Sequence, residues 1–164
     1  MKRIEAIEKK IFTLPTLLHV ITGWQLLNKK IAFTNGCFDI IHEGHIFSLS
    51  QAAKEADYLI VGLNSDASTK RLKGNERPIN NEKSRALIIA SLIIVDAVII
   101  FEEDTPYQLI TSILPDVLVK GGDYTIEQIV GAKEVIANGG NVIINPIVKG
   151  FSTTNLVEKI KSTP

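Results

Sequence analysis

A chain of 164 residues suits one compact domain, with a core large enough to fold without disulfides. Its 18 lysine and arginine residues equal its 18 aspartate and glutamate residues, so no net charge favours nucleic acid or an anionic membrane as a partner. Cys37 is the single cysteine, which excludes an internal disulfide and is typical of a reducing cytoplasm. The first residues show no signal peptide, and Asp96 interrupts the longest apolar run, so we expect a cytoplasmic protein without a membrane span.

In chain order, helix-length segments alternate with five short β-branched segments that predict buried strands. The first 29 residues precede this pattern and predict an N-terminal helical arm, which Pro15 breaks in two and which packs on the sheet edge or on a second subunit. The predicted strands lie near residues 30–35, 57–63, 96–101, 116–120 and 141–145. The predicted helices span about 43–55, 81–94, 105–113, 126–138 and 153–161. The sequence therefore divides into an arm, residues 1–29, and a domain, residues 30–164.

This alternation predicts an α/β fold with a doubly wound, mainly parallel five-stranded sheet. In such sheets ligands bind beyond the carboxyl ends of the strands, where the strand order reverses. Polar residues follow the predicted strands in the segments TNGCFDIIHEGH, NSDASTKRLKG and KGGDY, and KGFSTTN precedes the last predicted helix. The sequence therefore predicts a polar ligand site at this edge of the sheet.

Two of the three histidines, His42 and His45, lie three residues apart on one side of a predicted helix start. A zinc site would need a third ligand, and only His19 in the arm remains to supply an imidazole. A structural histidine pair is a second interpretation. Phosphate binding explains more of the segment, because a helix N-terminus attracts anions and imidazoles donate hydrogen bonds to phosphate oxygens. Gly36 would permit a tight turn after the strand, and Gly44 a close approach of the backbone to a ligand.

Three further features are candidates for anion binding, each with a structural alternative. A basic group follows the second predicted strand and is either a solvated face or a partial contributor to the pocket: Lys70, Arg71, Lys73 and Arg77. Of these we select Lys73, because it adjoins a glycine. Lys120 ends a buried strand and must reach solvent or meet an anion. In GFSTTN, one hydroxyl of Ser152 or Thr153 would suffice as an N-cap, so the run of three hydroxyls favours an anion.

The segment GCFDIIHEGH resembles the GxFD…HxGH signature of the cytidylyltransferase-like nucleotidyltransferases, and GFSTT is similar to their C-terminal signature. Class I aminoacyl-tRNA synthetases share HxGH, but they are far larger and carry a KMSKS-type loop that this sequence lacks. The P-loop pattern GxxxxGK[ST] and the dinucleotide pattern GxGxxG are also absent. Further segments, VGLNSDASTKRLKG, FEEDTP and LPDVLVKGGDY, resemble the adenylyltransferases of ADP-heptose synthesis over about residues 25–160.

The resemblance implies a Rossmann-like nucleotidyltransferase fold and the transfer of AMP from ATP to heptose 1-phosphate, with Mg²⁺ carried by ATP and a homodimeric assembly. In this family the activity is often the C-terminal half of a bifunctional kinase–transferase, and the absence of a kinase half here implies a standalone transferase. Ile147 stands where glycerol-phosphate cytidylyltransferases usually have arginine, which favours ATP and a sugar phosphate. The alternatives are a cytidylyltransferase acting on glycerol 3-phosphate or a similar phosphorylated alcohol, and a nucleotide-binding regulator without turnover.

The resemblance also implies roles for individual residues. The catalytic assignments are His42 and His45 at the α-phosphate, Lys73 at the sugar phosphate and Lys120 near the nucleotide. Nucleotide binding is assigned to Thr34, Asn35, Gly36, Phe38, Gly44, Gly121, Asp123, Ser152, Thr153 and Thr154. Substrate binding is assigned to Asn64, Asp66, Lys73 and Arg85. No residue is assigned as a direct metal ligand, although Asp39 is a candidate to hold Mg²⁺ through water. Cys37 is expected to pack under the loop rather than to act as a nucleophile.

Overall fold

The computed structural model describes residues 4–146 of the chain. The predicted helix near 153–161 and the predicted site residues Ser152, Thr153 and Thr154 therefore lie outside the described residues. Within residues 4–146, six strands form one sheet: β1 (Ile11–Phe12), β2 (Ile31–Gly36), β3 (Tyr58–Asn64), β4 (Ala97–Phe101), β5 (Val117–Gly121) and β6 (Asn141–Asn145). Seven α-helices flank the sheet in the same range: α1 (Glu5–Glu8), α2 (Leu14–Leu26), α3 (Glu43–Ala53), α4 (Asp66–Lys73), α5 (Glu82–Ser91), α6 (Tyr107–Ile113) and α7 (Ala132–Ala137).

All pairs of neighbouring strands are parallel, in the order β1-β4-β3-β2-β5-β6. From β2 the chain builds outward through β3 and β4, and then returns to the other side of β2 to add β5 and β6. The strand order therefore reverses between β2 and β5, which is where a doubly wound sheet binds its ligand. The predicted α/β fold with a doubly wound parallel sheet is confirmed.

The two strands at this reversal pair over only part of their length. Among the described residues, only Ala32 and Phe33 of β2 pair with β5, whereas β2 pairs with β3 along its whole length. The last residues of β2 and β5 are therefore not joined by ladder hydrogen bonds. A gap at the carboxyl edge of the sheet follows from this short pairing.

The N-terminal arm contributes an edge strand. Ile11 and Phe12 form β1, which pairs in parallel with β4, so the sheet has six strands where the sequence predicted five. A strand of two residues is too short to show the alternation that identifies strands in a sequence. Pro15 lies in the first turn of α2, where the missing N–H has no helical partner to lose. The arm therefore packs at the sheet edge through β1, one of the two arrangements predicted, and Leu17 and Ile21 of α2 are buried against one face of the sheet.

Two helical segments differ from the prediction. Helix α4 lies where the sequence analysis predicted none, because its mostly polar residues form no apolar stripe. Its start is fixed by Ser65, whose side chain accepts a hydrogen bond from the backbone N–H of Ser68 at 3.1 Å. The predicted helix at 126–138 is divided into a 3-10 turn, Ile126–Gln128, and α7. Gly131 separates the two in a left-handed conformation with φ of 82°.

An aspartate precedes each of three strands and ties it to its neighbour. The carboxylates of Asp57, Asp96 and Asp116 accept the backbone N–H groups of Lys30, Leu59 and Ile31 at 2.9, 2.8 and 2.8 Å. Asp96, which interrupts the longest apolar run of the sequence, therefore marks the start of β4. These hydrogen bonds join neighbouring strands at their amino ends. The site lies at the opposite edge of the sheet, where the strands end.

The core lies on both faces of the sheet, because alternate strand residues point to opposite sides. Phe33 and Ile60 pack with α2, α6 and α7, whereas Ala32 and Val61 pack with α3 and α5. Along residues 4–146, no helix has the length and apolar character needed to cross a membrane. The two filled faces hold the strand ends that form the site in fixed positions.

Candidate active site

A cavity of about 820 Å³ opens at the carboxyl edge of the sheet. The segment after β2 contributes much of its polar wall: Asn35, Gly36, Cys37, Asp39, His42, Gly44, His45 and Ser48. The segments after β3 and β4 contribute Asn64, Lys73, Arg77, Asp104 and Thr105. The end of β5 and the loop after it contribute Lys120, Gly121, Gly122 and Tyr124. The cavity therefore lies at the strand-order reversal, where the topology predicts a ligand.

The loop between β2 and α3 is shaped by the ring of Phe38. A side chain on Gly36 would place its Cβ 3.0 Å from that ring, so the glycine provides room for the ring rather than the tight turn we predicted. Phe38 itself adopts a left-handed backbone with φ of 45°, which non-glycine residues rarely do. Its buried ring meets the imidazole of His45 edge-on, with 5.3 Å between the ring centroids. The strained loop thus fixes the position of one histidine.

His42 and His45 lie at the start of α3 with stacked rings, 3.9 Å apart between centroids. Burial lowers the pKa of His42, and burial together with the neighbouring His42 lowers the pKa of His45 to about 4. Both rings are therefore mainly neutral at pH 7, and each carries one N–H donor. The first turn of a helix adds backbone N–H groups that have no partner within the helix. This arrangement can hold and polarise a phosphate without a permanent positive charge.

Lys120 spans the gap between β5 and β2. Its ammonium group donates a hydrogen bond to the Asn35 side-chain oxygen at 3.2 Å and lies 5.9 Å from the centre of the Tyr124 ring. Burial lowers the pKa of Lys120, and the nearby Cys37 opposes that shift. Cys37 is half-buried and lines the cavity, whereas the sequence analysis expected it to pack under the loop. Lys120 therefore places an ammonium group on the β5 side of the cavity, and the segment that follows β3 lies on the other side of β2.

Asp39 anchors a second loop to the histidine segment. Its carboxylate is 2% exposed and accepts hydrogen bonds from the Nε of Arg77 at 2.5 Å and from the backbone N–H groups of Ile79 and Asn80 at 2.8 and 3.0 Å. Burial opposes ionisation of Asp39, but the backbone donors and the guanidinium outweigh it and lower the pKa of this carboxyl. Both carboxylate oxygens are occupied by protein donors. The expectation that Asp39 holds Mg²⁺ through water stays a prediction.

Arg85 is fully buried, and its guanidinium is used by the protein. It donates hydrogen bonds to the backbone oxygens of Cys37, Asn64 and Asn80 at 2.5, 2.8 and 2.9 Å and to the carboxylate of Asp66 at 2.8 Å. It thereby joins the ends of β2 and β3. Neither Arg85 nor Asp66 lines the large cavity, which differs from the substrate contact we predicted for them.

The structure brings most of the described candidates together. The cavity is lined by Asn35, Gly36, Phe38, His42, Gly44, His45, Asn64, Lys73, Lys120 and Gly121. Thr34 is buried in β2, and Asp123 is exposed outside the cavity lining. Sequence reasoning missed other lining residues, notably Ser48, Arg77, Asp104 and Tyr124. Arg77 was considered within the basic group, but its contact with a distant aspartate had no sequence signal.

The described residues were searched for side chains that could together bind a metal ion. Among residues 4–146, no group of three or more histidine, cysteine, aspartate or glutamate side chains is placed to hold a metal ion. A cation that accompanies a nucleotide would be held mainly by phosphate oxygens, as Mg²⁺ usually is.

Comparison with known proteins shows which family the chain belongs to. A family model described as cytidylyltransferase-like matches residues 33–162. The chain is 58% identical over 139 residues to the bifunctional protein HldE of Nitrobacter winogradskyi, covering 85% of this chain and 28% of that protein. It is 47% identical over 159 residues to HldE of Rhodospirillum rubrum, covering 97% of this chain and 32% of the relative. The chain thus spans about a third or less of the length of these curated relatives.

Solved structures agree with the fold. A lipopolysaccharide core biosynthesis protein from Thermoplasma volcanium has a TM-score of 0.59 and 30% identity, with 75% of this chain and 99% of that chain covered. A pantoate-beta-alanine ligase from Francisella tularensis also has a TM-score of 0.59, at 16% identity, with 92% of this chain and 76% of that chain covered, and shows the shared fold alone. The chain belongs to the cytidylyltransferase-like family of nucleotidyltransferases.

Proposed function

We propose that the chain is an adenylyltransferase that transfers AMP from ATP to heptose 1-phosphate, giving ADP-heptose and pyrophosphate. The observation that carries the proposal is the stacked pair of neutral histidines at the start of α3, inside a cavity with lysines on two walls. The HldE relatives, at 47% to 58% identity over most of this chain, support the choice of reaction. The departure at Ile147 from the arginine of glycerol-phosphate enzymes supports ATP and a sugar phosphate as substrates.

The reaction is an in-line displacement at the α-phosphorus of ATP. An oxygen of the sugar phosphate forms the new bond to that phosphorus, and the bond to the bridging oxygen breaks as pyrophosphate leaves with the electron pair. The sugar phosphate is already an anion at pH 7, so no side chain has to remove a proton. The task of the protein is to align two polyanions and to stabilise the charge that moves onto the leaving group.

His42 and His45 stabilise this moving charge by hydrogen bonding to the α-phosphate and its bridging oxygen. Neutral imidazoles suit the step, because they donate hydrogen bonds without holding the product as tightly as a fixed cation would. The strained backbone at Phe38 and the packing of its ring orient His45 before the substrate arrives.

The two substrates lie on opposite sides of β2. Lys120 and Gly121 at the end of β5 contact the nucleotide, together with Asn35 and the segment before α3. Lys73, an exposed residue at the end of α4, reaches the sugar phosphate from the other side of the cavity. The assigned roles of Ser152, Thr153 and Thr154 at the β- and γ-phosphates remain predictions. Mg²⁺ bound to ATP would neutralise phosphate charge, with its ligands mainly on the nucleotide.

Pyrophosphate release tests the proposal directly. The purified chain is incubated with ATP or CTP in turn, Mg²⁺, and either heptose 1-phosphate or glycerol 3-phosphate. We expect release only with ATP and the heptose phosphate. Release with CTP and glycerol phosphate would move the protein to the cytidylyltransferases, and nucleotide binding without release from any pair would identify a regulator.

We further propose that the enzyme is a cytoplasmic homodimer. The apolar side chains of Leu26 and Leu27 at the end of α2 are 80% and 68% exposed, and that of Ile93 after α5 is 94% exposed. A subunit interface that covers Ile93 would remove this apolar side chain from water. Sedimentation velocity should show a dimer, and Ile93→Asp should weaken it. A monomer at all concentrations would contradict this assembly.

A further inference from the structure

Arg77 is a third basic residue in the cavity wall, after Lys73 and Lys120. Of the four basic residues between positions 70 and 77, only Lys73 and Arg77 line the cavity, and Arg77 is the more enclosed, with 15% of its side chain exposed. The sequence analysis selected Lys73 alone. The surroundings of Arg77 indicate a more specific role.

The hydrogen bond that orients the guanidinium of Arg77 is made by its Nε atom. Its Nε donates to the buried carboxylate of Asp39 at 2.5 Å, and that carboxylate is itself fixed by the backbone N–H groups of Ile79 and Asn80. The side-chain amide of Asn80 also donates to the backbone oxygen of Asp39 at 2.9 Å. The anchor therefore fixes both the loop and the direction of the arginine.

The two terminal nitrogens of Arg77 remain without a hydrogen bond to the part of the chain that the structure describes. These two nitrogens are not fully buried in the protein, so they stay accessible from the cavity that Arg77 lines. Since the residue lines the cavity, a ligand is the partner that would satisfy them. Two parallel N–H donors match the geometry of a phosphate or carboxylate.

We propose that Arg77, held on Asp39 by its Nε, binds the phosphate of the acceptor with its two terminal nitrogens. The acceptor rather than ATP is the expected ligand, because Arg77 lies in the segment after β3, whereas the nucleotide contacts proposed for Lys120 and Gly121 lie across β2 on β5. This inference rests on the proposed function and adds the residue that selects a phosphorylated acceptor.

Arg71 offers a matched control. It also pairs through its Nε with an aspartate, Asp104, at 2.6 Å, and its terminal nitrogen donates to the backbone oxygen of Glu102. This pair is exposed, at 47% for the arginine and 59% for the aspartate, and Arg71 does not line the cavity. Loss of Arg71 therefore removes a similar charge and ion pair from a residue outside the cavity wall, and the only wall residue it releases is its partner Asp104.

The experiment compares Arg77→Gln, Arg77→Lys and Arg71→Gln in steady-state kinetics, with the acceptor and ATP varied in turn. Arg77→Gln should raise the KM for the sugar phosphate by about tenfold to a hundredfold and leave the KM for ATP within about twofold. Arg77→Lys should recover part of the loss, because lysine keeps the charge but cannot contact Asp39 and a phosphate together. Arg71→Gln should match the wild type in both constants.

Two results would overturn the inference. An unchanged KM for the acceptor in both Arg77 variants would show that the residue does not bind it. A larger rise in the KM for ATP would assign Arg77 to the nucleotide. Circular dichroism shows whether each variant is folded, and Arg77→Lys serves if Arg77→Gln does not fold.

Direct binding separates this inference from the proposed function. If the wild type releases no pyrophosphate with any substrate pair, the proposed function fails. Calorimetric titration with heptose 1-phosphate and with inorganic phosphate still reports on Arg77. Binding to the wild type and to Arg71→Gln, but weaker binding to Arg77→Gln, would support an anion site at Arg77, and equal binding to all three would refute it.

Discussion

Two arginine–aspartate pairs lie close to the cavity, and they are buried in opposite ways. In the first, Arg85 is fully buried while its partner Asp66 has a side chain 41% exposed. In the second, Asp39 is 2% exposed while Arg77 is 15% exposed and lines the cavity. In the first pair, the arginine donates to three backbone oxygens of the protein as well as to Asp66. In the second, Arg77 donates to Asp39 through its Nε, and we propose that its two terminal nitrogens bind a ligand.

The difference shows that the buried member of a pair decides what the pair can do. A buried arginine with several protein acceptors joins strand ends and contributes to stability. A buried aspartate with several protein donors is a fixed anchor that orients a cation toward a ligand. Both arginines follow β3, Arg77 in the loop between α4 and α5 and Arg85 within α5, and they differ in their hydrogen-bond partners.

The largest expected effect concerns Arg85. Arg85→Met should lower the free energy of unfolding by about 3–5 kcal/mol, because it leaves buried backbone oxygens at the ends of β2 and β3 without donors. Urea denaturation followed by circular dichroism measures the change. The control Arg71→Met, on the exposed pair, should stay within about 0.5 kcal/mol of the wild type. Equal effects of the two substitutions would contradict a structural role for the buried arginine.

The next effect is on catalysis and involves neither pair. His45→Ala should lower kcat by about 10²–10³-fold, because one donor to the developing charge is lost. The variant should remain folded by circular dichroism. A near-normal kcat would remove His45 from the mechanism and leave a structural role for the stacked histidines.

A smaller loss of stability is expected at the second pair. Arg77→Met should lower the free energy of unfolding by about 1–3 kcal/mol, because Asp39 keeps its two backbone donors when the guanidinium is removed. The same urea titrations give the value. A loss as large as that of Arg85→Met would mean that both arginines are mainly structural, and the contrast between the two pairs would disappear.

A further prediction is a dependence of stability on pH. His45 has a folded pKa of about 4 against an ordinary 6.5, so between these values the unfolded chain binds a proton that the folded chain does not. The free energy of unfolding should therefore fall as the pH drops through this window. His45→Gln should make that fall shallower, as measured by urea denaturation at several pH values.

Much of the fold follows from local sequence patterns. The five predicted strands exist because each is a short β-branched run, and three of them begin with an aspartate that ties neighbouring strands together. Strand β1 and helix α4 were missed for opposite reasons. The strand has two residues and depends on pairing with distant β4, whereas the helix is polar and has no apolar stripe.

The sequence predicted where the site lies in the fold, but it did not predict which hydrogen bonds the individual side chains make there. The polar segments after the strands predicted a site at the carboxyl edge of the sheet. The structure places His42, His45, Lys73 and Lys120 in one cavity at that edge. The different environments of Arg77 and Arg85 could not be predicted, because each depends on acceptors distant in sequence. The catalytic roles remain predictions from the family resemblance and from the geometry.

Transfer of an isotope label tests the central claim most directly. Heptose 1-phosphate carrying ¹⁸O in its phosphate is incubated with ATP, Mg²⁺ and the protein, and the products are examined by mass spectrometry. Attack by the sugar phosphate on the α-phosphorus predicts that all of the label is found in ADP-heptose and none in pyrophosphate. Label in pyrophosphate, or AMP formed without any ADP-heptose, would contradict the proposed adenylyl transfer.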